Sequence, residues 1–383
     1  MSSEAVLRFE NCVIPHANHD QACRAIQRLH ARYRPPASER HFKARAMLLV
    51  GGSGSGKTTA LEAYQSRFPD LTLEAAESGE IEGLSEDLYD RLRDGDLRRV
   101  VTVEVPQSAT RRSVVAAILT RFGYRPRNDW NTSEVIERIA FYAEELGTEL
   151  ILLDEAHHII NERNPGATIE ITEFLKSLLN RVKVQLVIAG LPSLLAVISD
   201  DARATQFRRR LEPTLALVPY DWGTREGRIQ FMAILHAMEQ AMELPQSSGL
   251  SLHEVAKRVY AASGGEIGLA SKYLSEALRV VESEALPSIS LDVLARVYEA
   301  FHSDGYVASN LKDLDAPPAD RTKAGALVTS GPNPFTCDSA GLLSVLRSQA
   351  QFSGLRSSVG NAGRATRIRA SGPPSFTAFG RIA

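Results

Sequence analysis

Short, unbroken apolar runs recur along the first 220 residues, and stretches of helical periodicity lie between them. The runs are AMLLV at 46–50, RVVTVEVP at 99–106, ELILLDEAHH at 149–158, VQLVIAG at 184–190 and TLALVP at 214–219. Runs without polar alternation belong to strands buried on both faces, the arrangement of a parallel sheet covered by helices. Amphipathic stretches at 132–147 and 169–182 supply such helices, so the expectation is an α/β doubly wound sheet of five strands. Residues 70–98 carry Glu74, Glu77, Glu80, Glu82, Glu86, Asp87, Asp90, Asp94 and Asp96 and read as an exposed insertion between the first two strands.

After Pro219 the strand pattern stops. Residues 221–244, 250–262, 265–282 and 289–302 are periodic at helical spacing, with Gly264 and Gly265 separating two of them, which predicts a second, all-helical domain. At the N-terminus Ala22, Ile26, Leu29 and Tyr33 recur on one helical face and Arg24, Arg28 and Arg32 on another, before Pro35 and Pro36 end the helix. From about residue 313 the chain turns rich in Gly, Pro, Ser and Arg with little periodicity, the composition of a disordered tail, apart from a short helix at GLLSVLRSQA. The segments are therefore 1–45, a basic helical segment; 46–219, the α/β unit; 220–305, the helical unit; and 306–383, the tail.

A length of 383 residues fits about two to three domains. The net charge of −2 hides a gradient: residues 1–46 hold eight basic against four acidic residues, and residues 321–383 hold eight against one, which leaves −13 for the body. Basic ends on an acidic body suit nucleic acid at the ends. The three Arg residues fit either a stripe that follows a phosphate backbone or a solvated helix face. Cys12, Cys23 and Cys337 are odd in number and lack a CxxC spacing, so reduced thiols are expected. No apolar run approaches the roughly 18 residues of a membrane span, and the N-terminus shows no export signal, so a cytoplasmic chain without membrane partners is expected.

The chemistry is concentrated at strand ends. Gly51, Gly52, Ser53, Gly54, Ser55, Gly56, Lys57, Thr58 and Thr59 follow the first strand and open a helix. Glycines let successive N–H groups wrap phosphates, Lys57 reaches the β and γ oxygens, and the Thr58 hydroxyl ligates Mg²⁺. In LILLDE, at 150–155, Asp154 ends a buried strand where it can hold Mg²⁺ directly or through water, and Glu155 is placed to polarise an attacking water. Capping of the next helix is the alternative role for this acid pair. His157 and His158 follow; adjacent histidines on a helix point in different directions, so a shared metal is not expected and they read as surface or interface residues. Arg208, Arg209 and Arg210 precede the fifth strand. They are either a solvated helix end or cations offered to a neighbouring subunit's γ-phosphate, with Arg210 first and Arg209 second.

With these residues in hand, residues 15–305 resemble an AAA+ ATPase, and more narrowly the TniB/TnsC group of transposition ATPases. The resemblance rests on GGSGSGKTTALEAY, VTVEVP with SATRRSVVAAILTRFG, LILLDEAHHI, LVIAGLPSLL, FRRRLEP and ASGGEIGLASKYLSEA. It implies an AAA+ P-loop core of five parallel strands with a helical lid, and ATP and Mg²⁺ as cofactors. It further implies DNA-linked ATP hydrolysis, expected to be slow because Ile267 stands in place of a lid cation, and assembly as a homo-oligomeric ring or helical filament on double-stranded DNA. Its implied partners are a DDE-type transposase and a TniQ-like targeting protein. A helicase or origin loader, or a nucleotide-gated scaffold with negligible turnover, are the alternatives. Two positions depart from the AAA+ pattern. The fourth strand ends Ile188-Ala189-Gly190-Leu191-Pro192 where a polar sensor is usual, leaving Ser193 as the nearest hydroxyl, and Ile267 stands where a lid Arg is usual.

Overall fold

The computed structural model describes residues 4–34, 43–81, 83–107, 109–124, 132–160, 165–198, 207–302 and 332–347. Five parallel strands form its centre: β1 (Ala46–Gly51), β2 (Val100–Glu104), β3 (Leu150–Asp154), β4 (Gln185–Gly190) and β5 (Leu215–Leu217), in the order β2-β3-β4-β1-β5. Each expected apolar run contains one strand. The reason is visible in β1: Leu48 and Val50 enter the core on one face of the sheet while Met47 and Leu49 enter that on the other, so no position is left for a polar residue. Full burial of each such side chain contributes roughly 1.5–3 kcal/mol.

One face is covered by α6 (Arg111–Arg121), α7 (Thr132–Glu145) and α8 (Pro165–Arg181), through residues such as Ile118, Ile139 and Phe174. The other is covered by α2 (Ala17–His30) and α3 (Lys57–Gln65), through Ala22, Ile26, Leu29, Leu61 and Tyr64. The acidic insertion is structured. A bridge between Leu71 and Leu97 encloses α4 (Leu73–Glu77) and α5 (Glu86–Asp94), and the Tyr89 hydroxyl donates to the Ala76 carbonyl at 2.7 Å.

The helical unit contains α9 (Arg225–Met242), α10 (His253–Ser263), α11 (Ile267–Ser283) and α12 (Leu291–His302), each within an expected periodic stretch or one residue beyond its end. Glu239 of α9 is 8% exposed and accepts from the Ser247 hydroxyl and from the amides of Ser248, Gly249 and Leu250 at 2.6–3.0 Å. Burial pushes its carboxyl upward, and these four donors outweigh that effect, leaving it below the ordinary glutamate value.

Two segments depart from the expected division. The N-terminal 45 residues do not form one unit: α1 (Glu4–Glu10) places Val6 and Phe9 in the helical core, whereas α2 packs on the sheet. Within the expected disordered tail, residues 332–347 fold onto the helical unit. Phe335 enters its core, Leu342 packs on Ala261, and Arg258 donates to the carbonyls of Pro334 (2.6 Å) and Cys337 (3.0 Å). Composition hides this docking, because a few scattered anchors carry it: Phe335, Leu342, Val345 and the Asn333 side chain, which donates to the Ala295 carbonyl at 3.1 Å. The remainder of the tail, and Pro35 and Pro36, lie outside the described residues. No helix among the described residues is long and apolar enough to cross a membrane.

Phe335 is 5% exposed, so Phe335→Ala is expected to destabilise the helical unit by about 3 kcal/mol. Chemical denaturation would measure this, and an unchanged midpoint would show that residues 332–347 contribute nothing to the fold.

Candidate active site

The carboxyl ends of β1 and β3 bring the two motifs together, although β4 runs between those strands. The loop after β1 turns into α3 at Gly56, which has φ 84°, a conformation that favours glycine. Lys57 is buried; its Nζ donates to the carbonyls of Gly51 (3.0 Å) and Gly52 (2.8 Å) and to Ser55 Oγ (3.4 Å), at the centre of the loop. Burial lowers its pKa, while Glu155, Asp154 and Glu266 pull in the opposite direction. Ser53 and Gly54 are exposed on the loop, and in the first turn of α3 Thr58 is exposed and Thr59 half-buried.

The Thr58 hydroxyl donates to Asp154 Oδ2 at 2.6 Å, and the other Asp154 oxygen accepts from the Glu155 amide at 2.8 Å. A hydroxyl and a buried carboxylate side by side are hard oxygen donors, the type Mg²⁺ prefers. Glu155 itself has φ 50° and ψ 28°, the left-handed region, which for a non-glycine residue marks a strained position. It turns the chain from β3 into a 3₁₀ helix, Ala156–Ile159.

That turn corrects the expectation for the histidines. The rings of His157 and His158 lie 4.2 Å apart, and one ligand atom from each and from Glu155 fall within 4.8 Å of one another. The turn also accounts for the end of β4. A Cβ on Gly190 would lie 2.7 Å from the His157 amide nitrogen and 3.3 Å from its Cβ, so the position of the usual polar sensor is packed against the turn instead. Ser193 is exposed in the following 3₁₀ segment, Pro192–Ile198.

The helical unit closes on the phosphate loop. The Gly268 amide donates to the Gly54 carbonyl at 3.0 Å, and a Cβ on Gly268 would lie 2.6 Å from Gly54 Cα. Ile267, at the start of α11, and Glu266 line a small cleft with Gly52, Ser55, Asn18 and Tyr220. The Tyr220 hydroxyl is 2.9 Å from His16 Nδ1, and the Asn18 side chain donates to the Val218 carbonyl at 2.9 Å. Sequence reasoning missed these contacts; the Gly-Gly-Glu-Ile-Gly string at 264–268 was the available signal.

Arg209 and Arg210 lie elsewhere. The Arg210 carbonyl accepts from the Ala46 amide at the start of β1, and six residues of strand place this end about 17 Å from the loop. Neither Arg reaches its own Lys57. With Lys43, Arg45, Lys176 and Asn180 they line a cleft of about 340 Å³, where Arg210 donates to Asn180 Oδ1 at 2.7 Å and to the Ala44 carbonyl at 3.2 Å. The three-Arg stripe is also revised: Arg24 and Arg28 are exposed on α2, whereas Arg32 lies past the helix end and pairs with Glu212.

Residues 40–198 match the AAA domain family, and the sheet order with its helical unit is the AAA+ P-loop fold. The chain is similar to solved structures of Cdc6p from Pyrobaculum aerophilum (15% identity, 90% of this chain and 89% of that chain, TM-score 0.51) and of Aeropyrum pernix Orc1 in complex with DNA (17% identity, 95% and 89%, TM-score 0.52). No curated protein sequence matches.

His16 and His157 are both held at about 4, in each case chiefly by burial, aided by His19 for the first and by His158 and Lys57 for the second. Below pH 6.5 the unfolded chain binds protons that these folded sites refuse, so their contribution to stability is lost as pH falls from about 6.5 towards 4. Thermal melts across that range are expected to fall less steeply for His16→Asn than for the parent chain; identical slopes would refute the assignment.

Proposed function

We propose that the chain is an ATP-hydrolysing, DNA-binding AAA+ protein that assembles on double-stranded DNA and recruits a transposase. The observation that carries the nucleotide part is the meeting of Lys57, Thr58, Asp154 and Glu155 at the carboxyl ends of β1 and β3. Lys57 and the loop amides hold the β and γ phosphates, and Thr58 and Asp154 hold Mg²⁺, which neutralises charge developing on the transferred phosphoryl group. Glu155 orients the attacking water and draws off its proton.

Arg210 and Arg209 act across a subunit boundary in this reading, because about 17 Å of strand separates them from their own phosphate loop. Head-to-tail contacts of this kind form rings or open helical filaments. Arg24 and Arg28, exposed on α2, are the DNA contacts proposed here, with Arg32 secondary because it is paired with Glu212, which Arg45 shares. The transposase and a TniQ-like partner rest on the motif resemblance, the combination of VEVP, DEAHH and AGLPSLL. A second reading, an origin or helicase loader, draws on the likeness to Cdc6p and Orc1. Cross-linking in the source cell separates the two: recovery of a transposase supports the first, and recovery of a replicative helicase supports the second.

Lys57→Ala is expected to abolish ATP-dependent co-sedimentation with DNA, while Glu155→Gln traps a DNA-bound state with hydrolysis lost. DNA binding of equal strength without ATP would sink the reading. The parent's binding is expected to weaken steeply with salt, through counterion release.

Arg210→Ala is expected to cost roughly 10³-fold or more in hydrolysis rate. Mixing it with Lys57→Ala is expected to restore part of the activity, since each variant supplies what its neighbour lacks. A mixture as inactive as its components would place Arg210 outside the reaction.

A further inference from the structure

The turn after β3 gathers three metal-ligating side chains whose combined chemistry differs from that of the Mg²⁺ pair. Glu155 offers a carboxylate, and His157 and His158 offer imidazoles, with the three donor atoms within 4.8 Å of one another. The Nδ1 of His157 lies 3.3 Å from Glu155 Oε2, yet it is buried and makes no hydrogen bond. A buried nitrogen that makes no hydrogen bond is unfavourable unless something satisfies it. We propose that Glu155, His157 and His158 form a binding site for a zinc-class divalent transition-metal ion, separate from the Mg²⁺ position at Thr58 and Asp154.

The donor set selects the class of ion. Two imidazoles and one carboxylate suit Zn²⁺, Co²⁺ or Ni²⁺, and Mg²⁺ prefers oxygen ligands. Tetrahedral coordination at about 2.0–2.2 Å sets donors roughly 3.4 Å apart. Closing from 4.8 Å brings the donors together by about 1.4 Å, and Glu155 and both histidines are only half-buried, which leaves their side chains room to make it. The left-handed backbone at Glu155 and the 3₁₀ turn after it are what bring two consecutive imidazoles to the same side. Gly190 fixes the base of that turn, because no larger residue fits beneath the His157 amide. Three protein ligands leave a fourth coordination position open to water.

An ion held here occupies the carboxylate that the proposed ATPase needs for its water. It would therefore arrest hydrolysis while Lys57, Thr58 and Asp154 still hold the nucleotide. That consequence rests on the ATPase reading; the site itself does not.

The test uses the full chain without a histidine tag, titrated with Co²⁺ in Mg²⁺-free buffer. One equivalent per chain is expected to give the visible absorption of low-coordinate Co²⁺, displaced by Zn²⁺ because Zn²⁺ binds such sites more tightly. His158→Ala is expected to weaken binding about 100-fold, as is His157→Ala, with Glu155→Gln also weaker. The exposed His236→Ala serves as a control that leaves the titration unchanged. Circular dichroism melts verify folding, and the half-buried His158 provides a variant that does not disturb the contact on Gly190. Absence of a one-equivalent band, or equal Co²⁺ affinity in the double variant His157→Ala/His158→Ala, would overturn the site. These spectra decide the matter whether or not the chain hydrolyses ATP. Where it does, stoichiometric Zn²⁺ is expected to stop the parent and spare His158→Ala.

Discussion

The hydrogen bond from the Thr58 hydroxyl to Asp154, at 2.6 Å, joins residues 96 positions apart in the chain, one in the helix that follows β1 and the other at the end of β3, two strands that do not touch. It forms only if three strands hold their register. Val50 stands level with Gly190, and Leu153 with Ile188, so β4 acts as the ruler against which the ends of β1 and β3 are set. A slip of one residue would send every side chain of a strand to the opposite face and part the pair. The two apolar cores thus do more than stabilise the sheet. By requiring Leu48 and Val50 on one face and Met47 and Leu49 on the other, they fix where a hydroxyl, an ammonium and two carboxylates converge.

The acid pair divides its work by backbone conformation. Asp154 ends a regular strand, is buried, and is held by two donors. Its neighbour Glu155 is half-exposed on a left-handed residue, with its carboxylate beside His157. One is fixed and the other has room to move, although they are consecutive in sequence. The tight seat of the turn on Gly190 explains why no polar side chain ends β4: the backbone of His157 fills the space into which such a side chain would project.

Most of the α/β unit was legible because strands buried on both faces leave an unmistakable apolar run, and the phosphate loop was legible because its residue types are dictated by phosphate geometry. The helices of the second unit were equally plain from periodicity. What escaped had physical reasons. Helix α1 is only seven residues long, and its two buried residues, Val6 and Phe9, meet partners more than 200 positions away. The docking of residues 332–347 depends on Phe335, Leu342, Val345 and Asn333 meeting Arg258, Ala261 and Ala295, too few and too scattered to stand out in a Gly- and Pro-rich stretch. The pairing of His157 with His158 was misjudged because helical spacing was assumed, whereas a positive φ at Glu155 starts the turn differently. Arg32 looked like part of a helical stripe, yet the helix ends at His30 and Glu212 claims the side chain.

The contact between Gly54 and Gly268 sets backbone against backbone, with no side chain between them to yield. Helix α11 starts at this point and runs 17 residues, or about 25 Å, to Ser283. Geometrically it is a lever with its short arm on the phosphate loop. A tilt of about 5° at the loop displaces the far end by about 2 Å, a gain that follows from helix length alone. Through the shared core the same arm carries α1, more than 250 positions away in the sequence, so Glu4–Glu10 are mechanically geared to the loop that defines the chain's chemistry.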